Sequence, residues 1–414
     1  MRKTVVYARY GEDRLREALG DSPVVLVYGP RQCGKTTLAK RVGASSGYEY
    51  FTFDDETTRA AAEADPSGFV SDLPAQVILD EIQRVPQLFL PIKRAVDRQR
   101  KSGRFLLTGS SNILLVPTLA DSLAGRLAFV RLHPLAQCEM EGTLPTVLDE
   151  MFQGIVKTQQ GERLGRQLAE RIVAGGFPAA QMRVGERRRE RWYGDYIETL
   201  VQRDARQLAR ITSLAILPRL LEAAAGQTAR LVNISELSGP FHVSRPTIQE
   251  YVTLLTRLFL LEEVAPWHTN RLSRLIKTPK LHLGDTGVAA SLLQLDAEGL
   301  YQNRELFGQL TETFVYQELA RQASWHDKRI QFHHFRDRDG VEVDLVLSRG
   351  AGELVGVEVK VSATVTASDF RGLRKLRAMA GKRCRAGVII YDGETSVGFG
   401  DGMYAIPIRR LWTS

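Results

Sequence analysis

Pro23-Val24-Val25-Leu26-Val27-Tyr28-Gly29-Pro30-Arg31-Gln32-Cys33-Gly34-Lys35-Thr36-Thr37 decides how the N-terminal part of this 414-residue chain folds. The continuous apolar run Val24–Tyr28 suits a strand buried on both faces, as in a parallel sheet flanked by helices. Gly29–Thr36 then matches G-x-x-x-x-G-K-[ST], and the residues from Thr36 to Val42 read as the start of a helix. In that strand–loop–helix context the glycines let backbone N–H groups converge on phosphates, and the helix N-terminus adds its dipole. Gly29 through Thr37 are therefore the expected cradle for ATP. Lys35 supplies a point charge for the β- and γ-phosphates, and the Thr36 hydroxyl is an expected Mg²⁺ ligand.

Outward from the loop, Val77-Ile78-Leu79-Asp80-Glu81 is an apolar strand ending in two carboxylates. Asp80 is the expected holder of the magnesium shell, and Glu81 the group that orients and deprotonates an attacking water. Phe105-Leu106-Leu107-Thr108-Gly109-Ser110-Ser111-Asn112 is a further strand with a polar end. Ser110 is the first choice for a γ-phosphate contact, with Thr108 and Asn112 as alternatives, and the same residues read equally well as a turn rich in small polar side chains. In Leu123-Ala124-Gly125-Arg126 the arginine is placed to stabilise transition-state charge, in cis or from a neighbouring copy in a homo-oligomer; a structural ion pair is the competing reading. Further apolar runs at 50–53, 76–79, 105–108 and 128–132, with helix-like stretches such as 88–100 between most of them, give an α/β domain with a parallel sheet.

These residues resemble a family of bacterial and archaeal AAA-type ATPases whose loop reads G-P-R-Q-x-G-K-T. Its L-D-E-I-Q strand, T-G-S-S turn and L-A-G-R segment have counterparts at Leu79–Gln83, Thr108–Ser111 and Leu123–Arg126. Gly175-Gly176-Phe177-Pro178 and the stretch from Tyr196 through Arg203-Asp204 fit it too. The resemblance implies ATP binding, a helical DNA-binding-like segment and a C-terminal domain of unsettled role.

From about 140 to 225 the pattern is helical. Asn233–Ser238 then reads as a short helix, Gly239-Pro240 as a turn, and Val243–Leu255 as a second helix with Ser244 as N-cap and Pro246 in its first turn. That spacing looks like a winged helix-turn-helix, which would place Ser244, Arg245, Thr247 and Gln249 where base or phosphate contacts are made. Units of this shape also serve as protein-binding modules.

Strands return at 330–336, 342–348, 354–361 and 386–391, with helices at 306–321 and 370–380. Glu312 lies on the first of these helices, Asp344 in one strand, and Glu358 with Lys360 on one face of the next. If Ser348 pairs with Leu354, Asp344 falls opposite Glu358, a like-charge pair that is destabilising unless a cation or a lysine lies between. A divalent ion held by Asp344, Glu358 and Glu312, with Lys360 beside the water, resolves the conflict. The arrangement resembles the PD-(D/E)XK nuclease core, with Val343 where that core often has proline.

The balance of 43% hydrophobic and 25% charged residues is that of a globular protein too long for one core. The expected division is 1–140 as the AAA+-like ATPase domain, 141–225 as a helical lid or connector, 226–279 as the winged-helix-like segment and 280–414 as the α+β nuclease-like domain. A formal charge of +8 favours polyanionic partners, DNA first. No apolar stretch has the ~18 residues of a membrane span, and no secretion signal is legible, so a cytoplasmic location is expected. The 3 cysteines, Cys33, Cys138 and Cys384, fit reduced thiols.

Overall fold

The computed structural model describes residues 7–110, 123, 125–204, 215–241, 243–268 and 278–413. It divides into two units: Val6–Leu135 with Arg257–Phe259, and Ala136–Thr256 with Leu260–Ser414.

In the first unit, β1 (Val24–Tyr28), β2 (Glu49–Thr52), β3 (Val77–Asp80), β4 (Phe105–Gly109) and β5 (Leu127–Arg131) form one sheet in the order β2-β3-β4-β1-β5. Every neighbouring pair is parallel. Alternation along each strand sends side chains to opposite faces, and both faces are covered. Val24, Leu26, Leu79 and Leu107 pack with Leu88, Ile92 and Val96 from and beside the helix Phe89–Arg98. Val25, Val27, Ile78 and Leu106 pack with Leu15 and with Leu38 and Val42 of the helix Lys35–Ala44. Each such fully buried aliphatic side chain contributes roughly 1.5–3 kcal/mol relative to an exposed one. Because all five strands run the same way, their carboxyl ends share one edge, where ligands of open α/β sheets bind.

Among the described residues the second unit contains two sheets. β6 (Gln159–Gln160), β10 (Ile330–Arg336), β11 (Glu342–Arg349), β12 (Glu353–Lys360), β13 (Cys384–Tyr391), β14 (Thr395–Gly398) and β15 (Met403–Pro407) form a mixed sheet in the order β10-β11-β12-β13-β15-β14-β6. Its core includes Val343, Val346, Ile389 and Met403, packed with Leu373 and Leu376 of the helix Arg371–Ala380. β7 (Arg230–Leu231), β8 (Leu261–Val264) and β9 (Lys280–Leu283) form a small antiparallel sheet with β9 in the middle. Between β7 and β8 lie the helix Ile234–Ser238, capped by the Asn233 side chain, and the helix Arg245–Arg257. The 22-residue helix Arg304–Trp325 follows β9.

The two units are coarser than the expected four-part division. The stretch 141–225 clusters with the C-terminal part of the chain, and its β6 pairs with β14. The boundary after 279 cuts the small sheet, whose central strand begins at Lys280. A buried network holds this second unit together around Gly175-Gly176. Asp285 accepts from the backbone N–H groups of Gly176 (2.8 Å) and Gly287 (2.9 Å) and pairs with Arg321 at 3.2 Å. Gly175 sits at φ 64°, and a Cβ there would come within 2.3 Å of Asp285 and 2.2 Å of the Tyr193 hydroxyl, so only glycine fits. Among the described residues no helix is long and apolar enough to cross a membrane.

Candidate nucleotide site

β1 ends at Tyr28, and the loop after it turns back tightly. Gly29 lies so close to β5 that a Cβ would sit 2.0 Å from the Leu132 carbonyl oxygen. Gln32 at φ 60° and Gly34 at φ 104° complete the turn into the helix Lys35–Ala44. Lys35 is buried, and its ammonium donates to the carbonyls of Gly29 (3.1 Å) and Pro30 (2.8 Å). Arg9 fixes the loop from outside by donating to the carbonyls of Cys33 and His133, both at 2.6 Å. Thr37 and Gln32 are exposed, while Cys33 is buried with its thiol on the Leu132 carbonyl.

The strand alternation explains what meets the loop. Tyr50, Asp80 and Thr108 share the sheet face covered by the helix Lys35–Ala44, together with Ile78, Val27 and Leu106. Asp80 is consequently surrounded by hydroxyls. Thr36 Oγ1 donates to its two oxygens at 3.0 and 3.1 Å, Tyr50 donates at 2.8 Å, and Thr108 donates as well. Burial first, then the bond to Asp80, pushes the Tyr50 phenol up to about 12, so it remains a donor. β4 lies between β1 and β3 and brings Thr108 and Ser110 to the same edge.

Glu81 leaves β3 in the left-handed region at φ 58°. Such a conformation costs on the order of 1–3 kcal/mol and persists where the surroundings over-determine it. Its Oε2 accepts from Ser110 Oγ (2.7 Å) and from Gln83 Nε2, which also donates to Ser110 Oγ at 2.9 Å. Burial pushes the carboxyl up. The Lys35 charge, the Ser110 and Gln83 hydrogen bonds and the Arg31 charge outweigh it and hold Glu81 below the usual carboxylate range. Among the described residues the buried Gln83 Oε1 has no hydrogen-bond partner.

The structure thus brings Lys35, Thr36, Asp80, Glu81 and Ser110 to one edge of the sheet. Asn112, the alternative to Ser110, lies outside the described residues. Arg126 is placed elsewhere. It precedes β5, whose five residues at about 3.3 Å each separate it from the loop edge by on the order of 16 Å. There its Nε donates to Asp97 Oδ1 at 2.5 Å, a contact of the kind the ion-pair alternative expects, at the end of β5 away from the loop of its own chain. Tyr50 and Gln83 went unassigned in the sequence. Gln83 stood inside the quoted L-D-E-I-Q stretch, and Tyr50 was visible only once its strand was paired with β3.

In the second unit, Ser348 does pair with Leu354, and the ladder runs to Leu345↔Val357. It stops there because Asp344 Oδ2 accepts the Val359 N–H at 2.9 Å. Glu312, Asp344 and Glu358 converge, but a lysine the sequence did not single out lies between two of them. Lys280 Nζ is 2.6 Å from Glu312 Oε1 and 3.3 Å from Asp344 Oδ1, while Lys360 is 3.3 Å from Glu358 Oε1. Where a divalent ion was expected on Asp344, Glu358 and Glu312, the chain itself brings an ammonium, that of Lys280, onto two of the three carboxylates. Among the described residues no group of three or more His, Cys, Asp and Glu is arranged to hold a metal. Burial, then the Asp344 charge, pushes Glu312 well above the usual carboxylate range, and the same two causes push Glu358 up to about 8. The helix Arg245–Arg257 leaves Ser244, Arg245 and Gln249 exposed, with Ser244 Oγ accepting the Thr247 N–H at 3.3 Å.

Two proteins called uncharacterized, Rv2008c of Mycobacterium tuberculosis and Mb2031c of Mycobacterium bovis, are each 31% identical over 403 residues, 97% of this chain and 83% of theirs. The chain belongs to their family. Residues 21–141 match the profile described as an AAA domain, which covers the whole parallel sheet and the loop edge. Residues 165–299 and 307–411 match two profiles described as domains of unknown function, DUF8612 and DUF4143. The first of these runs across the expected boundary after 279 and takes in all of the small sheet. Among solved structures, the Walker-type ATPase paby2304 of Pyrococcus abyssi is 15% identical and covers 70% of this chain and 97% of its own, at a TM-score of 0.40. The AAA domain of this family member thus carries the whole candidate nucleotide site.

Proposed function

We propose that the AAA domain binds ATP with Mg²⁺ and hydrolyses it, and that the second unit couples nucleotide state to nucleic-acid contact. The observation that supports the first part is the shared edge of the sheet, where Lys35, the Thr36–Asp80 pair and the Glu81–Ser110–Gln83 cluster meet. The donor set fits magnesium: a hydroxyl and a carboxylate are hard oxygen ligands, and Mg²⁺ is commonly held by one or two such groups with phosphate oxygens completing its shell. Thr36 and Asp80 would hold the ion, which supplies charge neutralisation on the phosphates when bound. Lys35 can exchange its two carbonyl bonds for phosphate oxygens, since its ammonium carries three equivalent donors. Glu81, kept ionised by its neighbours, accepts the proton of the attacking water. Ser110 and Gln83 orient that carboxylate through one oxygen.

The experiment is paired. Lys35→Ala should abolish measurable ATP binding, whereas Glu81→Gln should bind ATP and not turn it over. Hydrolysis by Glu81→Gln at the wild-type rate would remove Glu81 from the reaction.

Support for nucleic-acid contact comes from the order helix, β7, helix, helix, β8, β9 with a β7-β9-β8 sheet, an order that resembles a winged helix. The helix Arg245–Arg257 would be its recognition helix, with Arg245 and Gln249 exposed near its start. Phosphate contact by Arg245 predicts that Arg245→Ala weakens DNA binding and reduces the salt slope of the affinity by about one unit. An unchanged gel-shift affinity and slope would favour a protein-binding role for the same unit.

A further inference from the structure

The carboxylate set in the second unit has a cation supplied by the chain itself. Lys280 opens β9, the middle strand of the small sheet, and its backbone is paired on one side with Leu231 and on the other with Val264. Its position is thus fixed from both sides before its side chain makes any contact. The side chain is almost wholly buried and ends between Glu312 of the helix Arg304–Trp325 and Asp344 of β11. The remaining Asp344 oxygen takes the Val359 N–H, and Glu358 is held by Lys360. The nearby imidazoles add no competing charge: burial first, then the Lys280 charge, holds His282 well below its ordinary value and His334 at about 4.

We propose that Lys280 is a built-in cation standing where a divalent ion would have to bind, so that these carboxylates are closed to metal while the lysine is present. The chemistry follows from the contacts. A divalent cation needs the Glu312 and Asp344 oxygens that Lys280 already occupies, and it would have to sit beside a buried ammonium of like sign. With Lys280 between them these carboxylates are not arranged to hold a metal. Without the ammonium, Glu312, Asp344 and Glu358 are largely buried hard oxygen donors left to close on a divalent ion such as Mg²⁺ or Mn²⁺ instead. The metal site is therefore latent, and Lys280 is its lock. The same contacts make the lysine a tie between the small sheet, the long helix and β11. This inference stands independently of ATP hydrolysis by the first unit.

The test uses the full chain without nucleotide, in an Asp80→Asn background that removes the carboxylate ligand at the AAA domain. Mn²⁺ binding is counted from the loss of free-ion EPR signal, and melting is followed by circular dichroism. The background protein should bind no Mn²⁺ that depends on Asp344. Lys280→Met should bind one equivalent, melt a few degrees higher with saturating Mn²⁺, and lose both properties when Asp344→Asn is added. A Lys280→Met chain that folds only when Mn²⁺ is present supports the same conclusion, and Lys280→Gln, which keeps a polar head, serves if Met does not fold at all. One equivalent of Mn²⁺ bound by the protein that retains Lys280, and lost on Asp344→Asn, overturns the proposal. So does a folded Lys280→Met or Lys280→Gln protein that takes up no Mn²⁺.

Discussion

The two units each gather a lysine and acidic side chains, yet they satisfy them in opposite ways. At the AAA domain the Lys35 ammonium hydrogen-bonds backbone carbonyls and acts on Glu81 through its charge alone, while the hydrogen bonds to Asp80 and Glu81 come from the neutral side chains of Thr36, Tyr50, Thr108, Ser110 and Gln83. In the second unit, Lys280 and Lys360 lie directly on the carboxylates. Neutral hydrogen bonds have a modest net worth, about 0.5–1.5 kcal/mol each, and can be exchanged for contacts to a bound ion or phosphate. The buried Lys280 contacts cannot be opened so easily, because each partner left behind is a desolvated charge. One arrangement is suited to binding and release, the other to staying shut.

The largest expected effect breaks the first side of that comparison. Glu81→Gln removes a positioned proton acceptor, and such groups contribute roughly 10²–10⁴-fold to rate. ATP turnover measured by phosphate release should fall by that factor with ATP binding retained. Next comes Lys280→Met, which should lower stability by about 3–5 kcal/mol in the absence of metal, the usual cost of removing one partner from a buried pair. Chemical denaturation followed in the second unit checks it. A loss below about 1 kcal/mol would mean that the carboxylates had already found other partners.

How far the sequence could lead is visible in the same two places. All five strands of the parallel sheet were legible as apolar runs: β1, β3 and β4 because a strand buried on both faces needs nothing else, the edge strands β2 and β5 because their runs are still largely apolar though partly exposed. Lys35, Thr36, Asp80 and Glu81 were legible because each sits at a strand end or turn whose position the motif itself fixes. The Ser348↔Leu354 register followed from one hairpin loop. Lys280 was not legible. It reaches Asp344 from a strand 64 positions away, and nothing local marks a lysine at a strand start as the partner of a distant helix and hairpin. The pairing of β6 with β14 was hidden for the same reason, since a two-residue strand has no periodicity to read. For Arg126 a motif position gives no direction along the strand, and only the register shows it at the far end of β5 from the loop of its own chain.

Acidity separates the two sites further. Glu358 is raised to about 8, so between its ordinary value near 4.5 and pH 8 the folded chain holds a proton that the unfolded chain has lost. Stability therefore falls as pH rises through that window, by at most about 1.4 kcal/mol per unit. Glu81 is depressed, so its contribution is present above the ordinary value and is lost as pH falls through the folded one. Glu358→Gln should gain melting temperature relative to wild type steadily from pH 5 to pH 8 and then level off. A difference that stays flat across that range would place Glu358 among ordinary surface carboxylates.

The smallest effect concerns Arg126, and it sharpens what belongs to the nucleotide site. In one chain its guanidinium lies at the opposite end of β5 from the loop and pairs with Asp97, with both side chains partly exposed. Exposed pairs of this kind contribute about 0.2–1 kcal/mol, so Arg126→Ala should barely change stability. Its effect on hydrolysis should then depend on assembly. In dilute protein, where one chain acts alone, turnover by Arg126→Ala should equal that of wild type, because no rearrangement within the domain carries the arginine past a five-residue strand. An arginine supplied by a second copy gives a different signature: wild-type turnover per chain rises with protein concentration, by up to 10³-fold or more, and Arg126→Ala abolishes that rise. Mixing Arg126→Ala with Lys35→Ala then decides between the two. Restored turnover in the mixture requires one chain to supply the arginine and the other the loop, whereas activity no higher than that of the Arg126→Ala chains alone confines Arg126 to its pair with Asp97.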